Sequence, residues 1–528
     1  MSADSGANPP DNAQRVVWLD GKQAAAQAVL QLSPEDNVAV ALRTLKPGEI
    51  LFEQSPVSSA ERVMKGHKVA LVDIARGEKI CKYAQLIGLA SCDIKAGEHV
   101  HTHNLAFTST DTLLKPRDGL VAVTANPTDS FEGYKRADGR VGTRNYIAVL
   151  SSVNCSATVA HNIASHFNTG LLEGYENVDG VAAFTHGTGC GMDSASEGFA
   201  NLQRILSGYA THPNVGGVLI VGLGCETSQI GDLLKAHKLA DGPLLRTMNI
   251  QTTGGHVKTI ARGVEIVEEM LSHVNAIERT AQPASSLSLA LQCGGSDAWS
   301  GITANPALGH AADLLVQQGG TAVLAETPEI YGAEHLLTAR ALSSDVADAL
   351  MQRIHWWQGY VEKNNGSMDN NPSPGNKLGG LTTILEKSLG AVAKGGTSPL
   401  AGVYHYGQQV TTPGFVFMDS PGYDPASVTG QIATGCNLVA FTTGRGSTFG
   451  SKPSPCMKIA TNTDMYTQLS DDMDLNAGTI VSDGDSVEEV GIRIYKQLLD
   501  VASGQKTLSE THGLGDNEFV PWQIGATM

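Results

Sequence analysis

Positive charge is in short supply in this chain. Lys and Arg number 36 against 53 Asp and Glu, giving a formal net charge of −17 over 528 residues. Nothing in that balance would neutralise phosphates, so a nucleic-acid partner is excluded. An anionic ligand would need a locally positive pocket, built from a metal or from placed Lys and Arg. No apolar run reaches about 18 residues, which excludes an ordinary transmembrane helix and a membrane partner. The opening "MSADSGANPPDNAQ" is polar and lacks an apolar h-region, so no signal peptide is expected and the protein reads as cytoplasmic. Cysteine is sparse at 8 residues, and without a secretory signal these read as reduced thiols or metal ligands, not disulfides. GxSxG, HExxH and Walker-type motifs are missing, which argues against hydrolase elbows, zincins and P-loop NTPases. "GLGCE" does not complete a GxGxxG fingerprint, so a dinucleotide site is not supported.

What is present suits a globular protein of two to four domains: 41% hydrophobic, 17% charged, with 59 Gly. Residues 1–36 read as an N-terminal arm. From Asn37 to Phe107, short apolar strands are broken by Pro-Gly, Arg-Gly and Ala-Gly turns, which predicts a small all-β module. Residues 108–130, rich in Thr, Pro and Asp, read as a linker. Beyond Phe131 buried apolar strands alternate with helices, which predicts α/β architecture with mainly parallel sheets. A break near residue 285 divides this body into parts at 131–285 and 286–528.

The unusual residues gather at predicted strand ends, where open α/β sheets bind ligands. They are Asn154-Cys155, His186 and Cys190 in "HGTGCGMD", and Cys225 and Glu226 in "GLGCE". Further on come Cys293, Ser296 and Asp297 in "QCGGSD", Glu326 and Glu329 in "AETPE", and Thr442, Thr443 and Arg445 in "TTGRGS". A single Cys after a strand is commonly a small buried filler; four at matching positions weaken that reading. Arg445 could clamp a carboxylate in bidentate geometry, or merely pair on the surface. "NPSPGNKLGG" is a turn-rich loop with Asn376 and one cation, Lys377, either functional or a solvated connector. In "GEHVHTHN", His99, His101 and His103 fall at alternate positions. On one strand they would share a face, about 6.5 Å apart, either as metal ligands or as a solvated edge.

Longer stretches carry a resemblance. "HKVALVDIARGEKICKYAQLIGLASCDIKAGEHVHTHN" resembles the SAF-type module of sugar-acid dehydratases. "GYKRADGRVGTRNYIAVLSSVNC", "IVGLGCE", "QCGGSDAWSGITANPALG", "NPSPGNKLGG", "TTGRGS" and "LNAGTI" resemble the main body of the altronate/galactarate dehydratase family. Within it, "HVHTHN" and "ETPEIYGAEHLL" look more like the altronate branch. The resemblance implies a hydro-lyase that removes water from D-altronate to give 2-dehydro-3-deoxy-D-gluconate, with galactarate dehydration or a sulfolactate-type lyase as alternatives. A non-catalytic sugar-acid binder is the rival from another class. The resemblance also implies a divalent metal, Fe2+ or else Mn2+. Separately, dehydratases of other folds use a [4Fe–4S] cluster, and Cys155, Cys190, Cys225 and Cys293 are numerous enough for one, though their wide spacing without a CxxC pair makes it the minor alternative. A homo-oligomer is the expected state. Under this reading His99, His101, His103, Cys190 and Cys225 are metal-ligand candidates. His186 or Lys377 would serve as base, and Asp297 or Glu326 as acid or ligand. Arg445, Ser296, Asn376 and Thr443 would bind substrate.

Overall fold

A computed structural model describes residues 27–528 apart from 53–55, 110–115, 118 and 169. The all-β module comes first. Strands Val29–Leu30, Val38–Ala41, Lys68–Ala70 and His99–Val100 form one antiparallel sheet. Lys79–Lys82, Gln85–Ala90 and Leu105–Ala106 form a second. Pro47-Gly48, Arg76-Gly77 and Ala96-Gly97 turns separate the short strands, and the apolar residues between them line a shared core with Val40, Ile74, Ile87 and Val100 fully buried. Of the arm expected over 1–36, residues 1–26 lie outside the described residues. The strand Val29–Leu30 falls in its remainder and pairs with Val38–Ala41. Residues 119–129 of the stretch read as a linker form no helix or strand, and Asn126 and Thr128 donate to Gln317 and Gln318 of the body.

The body has two α/β parts. Gly180–Phe184, Tyr146–Ser151, Val215–Gly222 and Leu245–Asn249 lie side by side in that order, all parallel. Tyr146–Ser151 is buried along its whole length, which explains its unbroken apolar run. A small antiparallel sheet of Ser130–Lys135, Val141–Gly142 and Arg279–Pro283 brackets this part at its entry and exit. The second part is a seven-stranded parallel sheet. Its order is Leu400–Tyr404, Gly414–Met418, Thr321–Leu324, Ser288–Cys293, Leu438–Thr443, Cys456–Ala460, Leu475–Asn476. The order reverses around Ser288–Cys293, and loops at such a switch point splay apart to leave a crevice. Helix Asp424–Ala433 packs against helix Glu197–Ala210 of the first part, so one apolar core with Phe184, Tyr209, Tyr406 and Phe441 joins both sheets.

Helix Ile384–Val392 closes the crevice. Thr383 caps it through Glu386 N, and every residue in it is buried, Glu386 and Lys387 included. The module sits against its outer side. Lys68 and Lys82, each on a module strand, reach Glu386 at 2.8 and 2.9 Å with all three side chains essentially out of solvent.

Candidate active site

The histidines do not share one strand. The strand ends at Val100, and residues 101–104 form a turn closed by Asn104, which accepts from His101 N and donates to His99 O, both at 2.9 Å. The turn folds His101 back toward a residue the alternating pattern never showed, His67. Antiparallel pairing of Val69 with His99 places His67 beside them. His67 Nδ1 lies 3.0 Å from His99 Nε2, and the His67 and His101 rings are 4.7 Å apart. One ring nitrogen from each of His67, His99 and His101 falls within 4.8 Å of the others. His103 is exposed on the rim, its ring tilted against His99 at 5.4 Å but outside this set.

Burial chiefly, then neighbouring imidazoles and Lys68, pushes His99 down to about 4 and His101 to about 3. These rings are therefore neutral at ordinary pH, the form that ligates metal. His101 Nδ1 is buried with no hydrogen-bond partner among the described residues. A buried imidazole nitrogen left open beside two others is what a divalent ion would satisfy. The donor set fits the ion expected from sequence, with His67 in the place given to His103.

The expected loop links this cluster to a second one. Leu378 O lies 3.2 Å from His67 Nε2, and Gly380 O accepts from Lys68. Asn376 is buried and donates to Ser296 O at 2.7 Å, so it fixes the loop onto the strand end. At the loop's start Asn371 donates to Glu329 and accepts from Lys387, while Lys387 also holds Glu329 at 2.7 Å. Around Glu329 lie Cys293, Glu326 and Lys394, all buried. Lys394 Nζ is 2.9 Å from Cys293 Sγ and 3.7 Å from Glu326. Glu326 stands in the left-handed region at φ 71°, a strained conformation for a side chain of its size. Both its carboxylate oxygens are buried without a hydrogen-bond partner among the described residues, which leaves the ion pair with Lys394 as their polar contact. Burial, reinforced by the charge of Glu329, drives its pKa up against the pull of Lys394 and so favours its protonated form. Burial opposes the Lys394 ammonium, but Cys293 and the two glutamates hold its pKa above the lysine range. Cys293, Glu326 and Glu329 also bring three donor atoms within 4.8 Å. Two ammonium groups already occupy that cluster's field, so a cation is better served by the imidazoles. A small cavity is lined by Cys293, Ser296, Ser300 and Lys387 together with Tyr83 of the module and Glu386.

The remaining expected residues divide by place. Ser296 Oγ, beside this cavity, is buried and unpartnered among the described residues. Lys377 is half-buried and Arg445 exposed; a Cβ at Gly379, between them and Asp297, would lie 3.3 Å from the Arg445 side chain. Asp297 is buried and saturated. Its Oδ1 accepts from Trp299 N, Ser300 N, Ser300 Oγ and Thr461 Oγ1, and Asn462 donates to Oδ2. It builds the loop that carries Ser296 and packs against Gly444, where a Cβ would come within 2.2 Å of its carboxylate. Thr443 is buried and accepts from Gly446 N, shaping the turn that presents Arg445. His186, Cys190 and Cys225 stand apart, at the strand ends of the four-stranded sheet. Both His186 nitrogens are engaged, with Ser151 O at 3.0 Å and Thr188.

Three family descriptions match in succession: the altronate/galactarate dehydratase SAF domain over residues 27–108, the D-galactarate dehydratase/altronate hydrolase second domain over 133–275, and the D-galactarate/altronate dehydratase C-terminal domain over 284–527. An altronate dehydratase of Bacillus subtilis is 35% identical over 95% of this chain and 100% of its own length. An altronate dehydratase of Escherichia coli is 34% identical over 93% and 98%. A galactarate dehydratase (L-threo-forming) of Escherichia coli is 36% identical over 92% and 95%. The chain belongs to the altronate/galactarate dehydratase family. It is accordingly an enzyme, a hydro-lyase with a SAF module ahead of its α/β body. For this dehydratase, sequence reasoning missed His67, Lys68, Lys82, Glu386, Lys387 and Lys394. A signal existed: each is a polar residue inside an otherwise apolar strand or helix ("HKVA", "KICK", "ILEKSL").

Proposed function

We propose that this dehydratase acts on D-altronate, removing water to give 2-dehydro-3-deoxy-D-gluconate, with a divalent ion held by His67, His99 and His101. The observation that carries the reading is the convergence of three imidazoles, one with an open buried nitrogen, beside a loop whose Asn371 bonds Glu329, the neighbour of the buried Glu326. The names of two relatives, both altronate dehydratases, support the substrate. The C2 proton of an aldonate is weakly acidic because the neighbouring carboxylate is already negative. When bound, the ion supplies Lewis-acid stabilisation of the enediolate charge. Arg445 offers a guanidinium for the substrate carboxylate at the open end of the site. In this reading Lys377, half-buried on the loop over the crevice, accepts the C2 proton. Glu326 holds the proton that the departing C3 hydroxyl requires, and the resulting enol becomes the 2-keto acid. Ser296 has a hydroxyl free to bond a substrate oxygen.

The test is metal content and 2-keto-3-deoxy acid production from D-altronate and from galactarate, on protein purified anaerobically with Fe2+. About one ion per chain is expected, with product from altronate lost on chelation and restored by the ion. His101→Ala is expected to lower bound metal and to lower turnover by at least 10²-fold, the order typical of a lost catalytic contribution. Product from galactarate alone would transfer the assignment to that substrate, which the 36% identical relative favours. Full activity in metal-free protein would overturn the mechanism.

A further inference from the structure

The four-stranded sheet carries its own set of donors, which the proposed dehydration does not use. Four cysteines of the chain are exposed, and three of them, Cys155, Cys190 and Cys225, stand just beyond the ends of three adjacent parallel strands. Free cysteine is ordinarily among the most buried residue types, as Cys293, Cys436 and Cys456 are here. Three exposed thiols at one lip of one sheet therefore need a reason.

The loops bearing them are tied together directly. Tyr146–Ser151 is the central strand, flanked by Gly180–Phe184 and Val215–Gly222 at about 4.8 Å on either side. Asn154 N, next to Cys155, donates to Thr188 O at 2.9 Å, and Ser228 N donates to Gly189 O, next to Cys190, at 3.0 Å. The two outer loops thus close over the end of the central strand. Gly189 makes that closure possible: at φ 97°, any Cβ there would fall 2.4 Å from Ser152 O. Gln251 directs its amide Nε2 at Cys225 Sγ at 3.5 Å, an N–H···S contact of the kind that tunes a thiolate ligand. A second, independent sign lies at the root of the group. Ser151, the last residue of the central strand, is fully buried and its hydroxyl has no partner among the described residues.

The spacing selects the ligand class. A single zinc ion sits about 2.3 Å from each sulfur, which holds thiolates roughly 3.8 Å apart. The three sulfurs do not all come within 4.8 Å of one another, in contrast to the ring nitrogens of the histidine cluster. In a polynuclear centre each thiolate binds a different iron, so its sulfurs need not meet within that limit. We infer that Cys155, Cys190 and Cys225 hold an iron–sulfur cluster of the [4Fe–4S] type, one of whose irons takes no cysteine from this chain. The three thiolates supply the negative charge and soft donors such a cluster requires.

The experiment is anaerobic reconstitution of the full chain with iron, sulfide and a thiol reductant, followed by absorption near 400 nm, iron and sulfide analysis, and electron paramagnetic resonance after reduction. About four irons and four sulfides per chain beyond the divalent ion are expected. Cys155→Ser, Cys190→Ser and Cys225→Ser should each remove most of the chromophore. Cys92→Ser, at the fourth exposed cysteine, should leave it unchanged. His101→Ala should keep the chromophore while losing dehydratase turnover, which separates this centre from the one proposed for dehydration. Far-ultraviolet circular dichroism of each serine variant guards against misfolding, and a folded triple variant that keeps the chromophore would overturn the assignment. So would a colourless wild type after reconstitution, or one that takes up a single zinc in place of iron and sulfide.

Discussion

Glu386 and Glu326 lie at the same depth, each fully buried near the crevice of the seven-stranded sheet, and their surroundings are opposite. Glu386 accepts from Lys68, Lys82, Thr382 N and Thr382 Oγ1. Burial alone would raise its pKa, but the two ammonium groups override that and hold it well below the carboxylate range. Glu326 has no hydrogen-bond partner for either oxygen among the described residues, only the longer ion pair with Lys394, and is driven up. A buried carboxylate with its lone pairs satisfied is architecture, while one left without hydrogen bonds on a strained backbone suits the acid role proposed for Glu326. The two glutamates therefore predict different failures.

Glu386→Gln strands two buried ammonium groups. Thermal or denaturant unfolding should show a loss of about 3–5 kcal/mol, with the module loosened from the body; a loss under about 1 kcal/mol would mean the triad is not the joint. Glu326→Gln replaces a neutral carboxylic acid by an amide of the same shape. Stability should move by less than about 1 kcal/mol, whereas turnover should fall 10²–10⁴-fold, the range of a lost general acid. Equal damage to both quantities would erase the distinction between the two residues.

The smallest effect concerns protons taken up elsewhere. His186 and His212 are buried neutral; burial pushes them down to about 4 and about 3. Each donates from Nε2 to a carbonyl, Ser151 O or Cys436 O, and accepts at Nδ1 from a backbone N–H, of Thr188 or Asn214. The unfolded chain protonates these rings near 6.5, the fold only well below that. Their contribution is therefore complete above pH 6.5 and declines as pH falls toward 4, by about 1.4 kcal/mol per pH unit per histidine at most. His212→Gln should flatten the acid limb of a stability–pH curve measured by chemical denaturation; an unchanged limb would show that His212 titrates normally.

The alternation of apolar strands and helices was legible because buried parallel strands read as unbroken apolar runs, "YIAVLS" and "LVAFTT" being clear cases. Strand-end residues such as Cys293, Ser296 and Glu326 were legible for the same reason: they follow such runs directly. The histidine cluster was legible only in part. Its alternating members announced themselves, but a period of two carries no information about a turn after Val100. His67 comes from a paired strand 32 residues earlier, and local pattern says nothing about such pairing. The lysines of the joint were hidden by rule: charge inside a strand normally marks an edge, and only the distant Glu386 reverses that meaning.

That joint has a consequence for how the enzyme is put together. Lys68 and Lys82 belong to a module that ends near Phe107, Glu386 to a helix nearly three hundred residues later, and His67 meets the 371–380 loop at Leu378 O across the same boundary. The module is thus a keyed plug whose charges match one socket, and the peptide that tethers it is a convenience of synthesis. Two separately translated pieces, cut within 108–130, carry all the groups needed to dock and to rebuild the site.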